Sequence, residues 1–164
     1  MAVFSFASGP ATLPPPVLDG LQRDIAEWRS SGQSLLALPF TGADFNAILH
    51  EAEQDLRMLL GVPASSRVLF LQGGAFSHFA LLPLNLAGTH GNADYVDSGY
   101  WSRRAIAEAT PWVRVHVAAL GDGKSLPAPQ SWDISPAAAY CHYTSNETAD
   151  GLQFQSVPDT GSVP

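Results

Sequence analysis

The composition indicates a folded, acidic protein that does not bind nucleic acid. The 164 residues are 46% hydrophobic and 14% charged, with a net charge of −7, which suits one ordinary domain and disfavours a nucleic-acid partner. Cys141 is the single cysteine, which excludes an internal disulfide and a zinc site made of cysteines. Met1–Gly9 does not resemble a secretory signal, and no apolar run is long enough to span a membrane. We therefore expect a cytoplasmic protein without a membrane partner.

The N-terminal part is predicted to contain an irregular arm followed by two helices. Apolar residues at helical spacing predict the first helix over Val17–Trp28. A short extended piece is predicted at Leu35–Leu38. The clearest amphipathic helix follows Thr41–Asp44, which has the pattern of a capping box. Gly61 is predicted to stop this helix.

From Arg67 onward, strand and helix patterns alternate, which predicts an α/β layer with mostly parallel strands. A helix is predicted after the glycine pair Gly73–Gly74, and another over Ser102–Ala109. The predicted strands cover Arg67–Leu71, Ala93–Asp97, Trp112–Val117 and Ala137–Thr144.

The glycine pair is a candidate anion-binding loop. It lies between the strand predicted at Arg67–Leu71 and an apolar run with helical spacing, a geometry that points free backbone N–H groups at an anion. A plain turn is the alternative. The spacing of the glycines matches neither a dinucleotide fingerprint nor a Walker loop.

Two further polar or aromatic side chains follow predicted strands, where ligands of open α/β sheets bind. Trp101 can stack on a planar ligand, or it can pack in the core. Thr148 can contact the same ligand, or its hydroxyl can bond its own turn. The histidines are scattered without metal spacing, and His142 is expected to be a hydrogen-bonded core residue.

Taken in order, several segments resemble the phosphoserine aminotransferases. These enzymes depend on pyridoxal 5′-phosphate (PLP) and move an amino group between glutamate and 3-phosphohydroxypyruvate in serine biosynthesis. Pyridoxine biosynthesis can use the same activity. The matching segments are Phe6–Pro14, Leu69–Ala75, Pro83–Leu86, Ala93–Trp101, Asn146–Gly151 and Val157–Gly161.

The resemblance implies an α/β fold that forms an incomplete N-terminal portion of a fold-type I PLP-dependent transferase large domain. Its sheet would be mostly parallel with flanking helices. Residues 1–15 would form an arm, and residues 16–164 would form part of the PLP-binding domain, ending before the Schiff-base lysine. The family also implies a homodimer.

The same resemblance implies which residues contact ligands. The cofactor phosphate would be held by the backbone around Gly74, Ala75 and Phe76. Trp101 would stack on the pyridine ring, and Thr148 would hydrogen-bond the oxygen of that ring.

Ser8 and Thr41 would lie at substrate-contacting positions, but Phe40–Thr41 replaces a His-Arg pair whose arginine grips the anionic substrate in the family. A threonine cannot provide that charged contact. Lys124 is the only lysine, and it lies in a turn where the family does not place its cofactor lysine. We therefore expect no normal transaminase activity from these 164 residues alone.

Two other functions are compatible with the sequence. One is a non-catalytic protein that binds a phosphorylated ligand or a partner chain through the glycine loop. The other is a different class-V PLP enzyme, because Phe40–Thr41 weakens the substrate assignment.

Overall fold

The computed structural model describes residues 4–7, 9, 11–88 and 91–164. Two compact units are formed, one by Met1–Phe70 and the other by Leu71–Pro164. None of the described helices combines the length and the apolar character needed to cross a bilayer.

The first unit is helical. Helix α1 covers Pro15–Ala26 and starts with proline in its first turn, where the missing N–H of proline costs no hydrogen bond. Helix α2 covers Ala43–Leu60 and ends at Gly61, which adopts a left-handed φ of 64°. Both predicted helices are thus confirmed. The extended piece predicted near Leu36 is wrong, because Leu35–Ala37 forms a short 3₁₀ helix. The Ser34 side chain caps its first turn by accepting the Leu36 N–H.

The capping box predicted at Thr41–Asp44 is also wrong. The N-cap residue of α2 is Gly42, and no side chain caps the helix. The helix therefore begins one residue later than predicted, and Asp44 lies at its second position rather than its third. The carboxylate of Asp44 remains in the first turn, where the helix dipole favours negative charge.

Helix α2 keeps its apolar face in contact with solvent. None of its residues is buried, and Leu59 and Leu60 are 76% and 72% exposed. The amphipathic pattern thus predicted the helix correctly, but its apolar side is at most half-buried among the described residues and is most exposed at its C-terminal end.

The second unit is an α/β layer, which confirms the predicted fold class. Its main elements are α3 (Gly74–Leu86), β1 (Asn92–Asp97), α4 (Tyr100–Ala109), β2 (Arg114–Leu120), β3 (Cys141–His142), β4 (Asn146–Glu147) and β5 (Leu152–Gln153). A short 3₁₀ helix covers Pro129–Ser131. Three parallel strands lie in the order β2-β1-β3, and β4 and β5 form a separate antiparallel hairpin.

The core of this unit lies between β1 and α4. Ala93 of β1 and Ala105 and Ala109 of α4 are fully buried, so the small side chains let the helix lie close to the sheet. Tyr95 and Tyr140 join this cluster, and their hydroxyls are 2.8 Å apart. Burial raises the pKa of Tyr95, which keeps its phenol neutral in the core.

Two predicted strands differ from the structure. Residues 67–71 form no strand, and Leu69, Phe70 and Leu71 are 70%, 52% and 61% exposed. A strand needs a paired neighbour for its backbone polar groups, and no described residue pairs with this segment. The strand predicted over Ala137–Thr144 shortens to β3, because only Cys141 and His142 are in register with β1.

Candidate functional site

A cavity of about 570 Å³ opens at the carboxyl edge of the parallel sheet. Its walls come from α3, from the start of α4 and from the loop that follows β3, all within the second unit. Ligands of α/β sheets bind at this edge. The lining residues are Gly73, Ala75, Phe76, Phe79, Trp101, His142, Tyr143, Thr144, Ser145, Asn146 and Thr148.

The N-terminus of α3 forms one wall. Gly73 precedes the helix with a φ of 105°, and Gly74, its first residue, has a φ of 58°. Glycine adopts such angles without strain. Among the described residues, no side chain caps the helix, so the N–H groups of its first turn are left for a ligand. The site is therefore suited to an anion, even though the strand predicted in front of it does not form.

Trp101 and Thr148 form the opposite wall as a bonded pair. The indole Nε1 of Trp101 donates a hydrogen bond of 2.7 Å to the hydroxyl of Thr148. The hydroxyl of Thr148 therefore bonds a side chain of another element rather than its own turn. Trp101 is half-buried rather than packed in the core. The pair presents a flat aromatic face beside a hydroxyl whose proton remains available to a ligand.

His142 and Thr144 also line the cavity, and the sequence did not single them out as site residues. Among the described residues, neither His142 Nδ1 nor Thr144 Oγ has a hydrogen-bond partner, although both atoms are buried. Such orphaned atoms are rare in folded proteins. Among the described residues, the hydrogen bond expected for a core histidine is thus not formed at Nδ1, and both atoms are covered by protein although their residues line the cavity. Both lie at the end of the strand predicted over Ala137–Thr144, and that position was the one available signal.

His142 is held by aromatic neighbours. Its ring stacks on Tyr95, with the ring centres 4.9 Å apart and the planes 23° apart, and Phe79 contacts it edge-on. Burial lowers the pKa of His142 from 6.5 to about 4. The imidazole is therefore neutral at physiological pH, with one ring nitrogen available as a donor or an acceptor.

Three other residues of interest are Thr41, Ser8 and Lys124. Thr41 is exposed in the turn before α2, in the first unit, and Ser8 lies outside the described residues. Lys124 is exposed in a turn in which Asp122 Oδ1 accepts the N–H groups of Lys124 and Ser125. Lys124 does not line the cavity.

The fold and the cavity define an α/β protein whose sheet edge combines an uncapped helix start with an aromatic wall. The family model of the class-V aminotransferases matches residues 3–163. The chain belongs to that family.

Two similar curated proteins are both phosphoserine aminotransferases. The chain is 48% identical over 164 residues to the phosphoserine aminotransferase of Pseudomonas putida, covering 98% of this chain and 45% of the relative. It is 45% identical over 165 residues to that of Acidithiobacillus ferrooxidans, covering 99% of this chain and 46% of the relative. The chain thus spans about half the length of the curated relatives that it matches.

Solved structures resemble the chain over the same extent. The phosphoserine aminotransferase of Bacillus circulans is 41% identical with a TM-score of 0.88, over 97% of this chain and 45% of the other. A PLP-bound phosphoserine aminotransferase from Trichomonas vaginalis is 34% identical with a TM-score of 0.90, over 99% of this chain and 47% of the other. The fold is therefore that of phosphoserine aminotransferases, and the resemblance found in the sequence is confirmed.

Proposed function

We propose that this chain supplies the phosphate-binding and ring-binding parts of a PLP site in a phosphoserine aminotransferase. The reaction would move an amino group between glutamate and 3-phosphohydroxypyruvate, in serine biosynthesis and, by the same activity, in pyridoxine biosynthesis. One observation carries the proposal. The uncapped start of α3 and the bonded Trp101–Thr148 pair line a single cavity.

The start of α3 would hold the phosphate of the cofactor. The backbone N–H groups of Gly74, Ala75 and Phe76 lie in the first turn of the helix, where intrahelical acceptors are lacking. The positive end of the helix dipole adds to the attraction for a phosphate dianion. No side-chain cation is needed for this contact, which suits a chain with a net charge of −7.

Trp101 and Thr148 would hold the pyridine ring. The indole face offers stacking, and its orientation is fixed by the 2.7 Å bond to Thr148. Because the oxygen of Thr148 already accepts that bond, its hydroxyl proton can be donated to the ring oxygen. His142 and Thr144 line the same cavity, but His142 Nδ1 and Thr144 Oγ are covered by protein, so the proposed contacts to the ring come from Trp101 and Thr148.

PLP, when bound, supplies the electron sink for amino transfer, and the protein supplies binding and orientation. A lysine must carry the cofactor for turnover, and the only lysine of the sequence, Lys124, is exposed and does not line the cavity. We therefore propose that these 164 residues bind the cofactor without a covalent bond and do not turn over by themselves.

The substrate, the partners and the location are part of the same proposal. Ser8 and Thr41 would contact a small phosphorylated keto acid or amino acid, and a homodimer in the cytoplasm is the form expected from the family. The exposed apolar face of α2, which includes Leu59 and Leu60, supports a partner surface, because monomers rarely leave large apolar patches in water.

Thr41 favours a second candidate function, in which the protein is part of a different class-V PLP enzyme with another substrate. A hydroxyl forms a weaker contact with a phosphate than a guanidinium does, by about 1 kcal/mol or more. If a phosphorylated substrate reaches this residue, Thr41→Arg will tighten the binding of O-phosphoserine. Unchanged binding would favour the second candidate. Isothermal titration of both proteins gives the comparison.

The experiment that tests the proposed site uses two forms of the cofactor. Pyridoxine 5′-phosphate lacks the aldehyde and cannot react with Lys124, so its binding reports the non-covalent site alone. We expect saturable binding of both PLP and pyridoxine 5′-phosphate, and loss of both in Trp101→Leu. Borohydride reduction followed by peptide mapping should find no adduct at a cavity residue. Equal binding by the native chain and Trp101→Leu, or turnover through Lys124, would overturn the proposal.

A further inference from the structure

Two carboxylates from the β4 hairpin cap the first turn of α4. Asp150 Oδ2 accepts the N–H of Tyr100 at 2.9 Å. Glu147 Oε2 accepts the N–H of Trp101 at 2.6 Å, and Glu147 Oε1 accepts the N–H of Ser102 at 2.9 Å. These N–H groups have no acceptor within the helix. The start of α4 is therefore held by residues that lie more than 40 positions further along the chain, with separations of 45 to 50.

The carboxylate of Glu147 is fully buried, at 0% exposure. A buried charge is costly unless hydrogen bonds compensate for lost water, and here Ser98 Oγ also donates to Oε1 at 3.1 Å. Ser102 Oγ accepts the N–H groups of Ser98 and Gly99. The group is therefore a closed network in which each donor already has its acceptor.

Gly99 makes room for this network. A Cβ at that position would lie 2.9 Å from the Cδ of Glu147 and would also contact Asp150 Oδ2. Side chains cannot approach a Cβ so closely without displacement. The absence of a side chain at Gly99 is thus what lets both carboxylates reach the helix.

The network fixes both residues of the ring-binding wall. Glu147 holds the backbone of Trp101 directly, and Thr148 is the next residue in the chain after Glu147. The indole of Trp101 then bonds the Thr148 hydroxyl. We infer that Glu147 is a positioning residue, which sets the separation between the Trp101 indole and the Thr148 hydroxyl that a pyridine ring requires. This inference rests on the proposed function only for the identity of the ring.

The test is Glu147→Gln, which keeps the shape of the side chain. Its amide nitrogen would face the N–H of Trp101 or of Ser102, and two donors cannot bond each other. We expect the indole NH resonance of Trp101 in ligand-free ¹⁵N spectra, assigned with Trp101→Phe, to shift. We also expect the affinity for pyridoxine 5′-phosphate to fall by about tenfold, the scale of a lost charged hydrogen bond.

Inorganic phosphate separates positioning from general structural damage. It is expected to bind at the start of α3, away from Glu147, so its affinity in a ³¹P titration should change less than about twofold in Glu147→Gln. Glu51→Gln is the control, because the Glu51 carboxylate is exposed in the first unit, where it pairs with Arg29. It should leave the indole resonance and both affinities unchanged.

Each outcome decides the inference. An unshifted indole resonance in Glu147→Gln overturns it, as does an equal fall in the affinities for phosphate and pyridoxine 5′-phosphate. If Glu147→Gln does not fold, the exposed cap is tested instead. Asp150→Asn should then shift the indole resonance and weaken pyridoxine 5′-phosphate binding by a smaller factor, and no effect on either overturns the inference. If the native chain binds no pyridoxine 5′-phosphate, the proposed function fails, and the indole resonance still decides the role of Glu147.

Discussion

The indole nitrogen of Trp101 donates a hydrogen bond of 2.7 Å to the hydroxyl oxygen of Thr148, across 47 positions of the chain. The bond joins the start of α4 to the first residue after strand β4. The two residues, from separate elements, thus form one surface. It has an aromatic face and a hydroxyl whose proton is left to donate to a ligand. This surface is the part of the cavity that distinguishes a planar, oxygen-bearing ring from a simple anion.

Thr148→Val will weaken the binding of pyridoxine 5′-phosphate. Valine keeps the branched shape but removes both the acceptor for the indole and the donor for the ring, so we expect the affinity to fall by about five- to tenfold, from about 1 kcal/mol or more for a lost hydrogen bond. Isothermal titration measures the change. Thr110→Val is the control, because its hydroxyl bonds the Ile106 carbonyl at the far end of α4. An affinity within twofold of native for Thr148→Val would contradict the role of the hydroxyl.

Ala75→Asp will raise stability and lower phosphate affinity together. Residue 75 lies in the first turn of α3, where a carboxylate favours the helix by about 0.3–1 kcal/mol but repels a phosphate bound to the same N–H groups. Thermal unfolding measures the first effect, and titration with inorganic phosphate measures the second. Ala75→Asn has the same shape without the charge and should weaken phosphate binding less. Undiminished phosphate binding in Ala75→Asp would place the anion elsewhere.

Gly99→Ala will destabilise the second unit. The added Cβ would lie 2.9 Å from the Cδ of Glu147, and forcing such a contact costs about 1–3 kcal/mol. Urea unfolding followed by tryptophan fluorescence measures the loss. The control is Gly20→Ala in the middle of α1, where the new Cβ meets only Arg23 Nη2 at 3.8 Å. That substitution should raise stability, because glycine is a poor helix former. A Gly99→Ala protein as stable as native would show that the carboxylate cap is loosely packed.

His142 will make the fold less stable as the pH falls. Burial lowers its pKa from 6.5 to about 4, so the unfolded chain takes up a proton at higher pH than the folded chain does. The stability that the neutral imidazole provides is therefore fully present above pH 6.5 and is lost as the pH falls toward about 4. Melting temperatures between pH 7.5 and pH 4 should fall less steeply in His142→Phe, which keeps the aromatic stack on Tyr95. His50→Gln, exposed on α2, is the control; equal slopes for His142→Phe and the native chain would contradict this prediction.

The sequence predicted the elements whose pattern is local. The apolar spacing along α2 and the alternation over Trp112–Val117 depend only on near neighbours, and α2 and β2 form close to these segments. Gly61, with its left-handed φ of 64°, ends α2 as expected from residue type alone.

The sequence failed where a partner decides the conformation. Leu69–Leu71 is apolar and prone to form a strand, yet it stays unpaired and exposed, because pairing depends on a neighbour that the residue types do not identify. Glu147 was missed for the same reason, since its contacts with α4 span 45 and 46 positions. Trp101 and Thr148 were singled out by their place after predicted strands, and the family resemblance gave each a contact with the cofactor ring. The bond between them was not predicted.

The central claim is that one cavity binds the phosphate at the start of α3 and the ring against Trp101. The most direct measurement is a crystal structure of the 164-residue chain grown with PLP. We predict density for the ligand in the cavity, with its phosphate within hydrogen-bonding distance of the Ala75 and Phe76 N–H groups and its ring stacked on the indole. A ligand found only at Lys124 or elsewhere on the surface, with the cavity empty, would contradict the account.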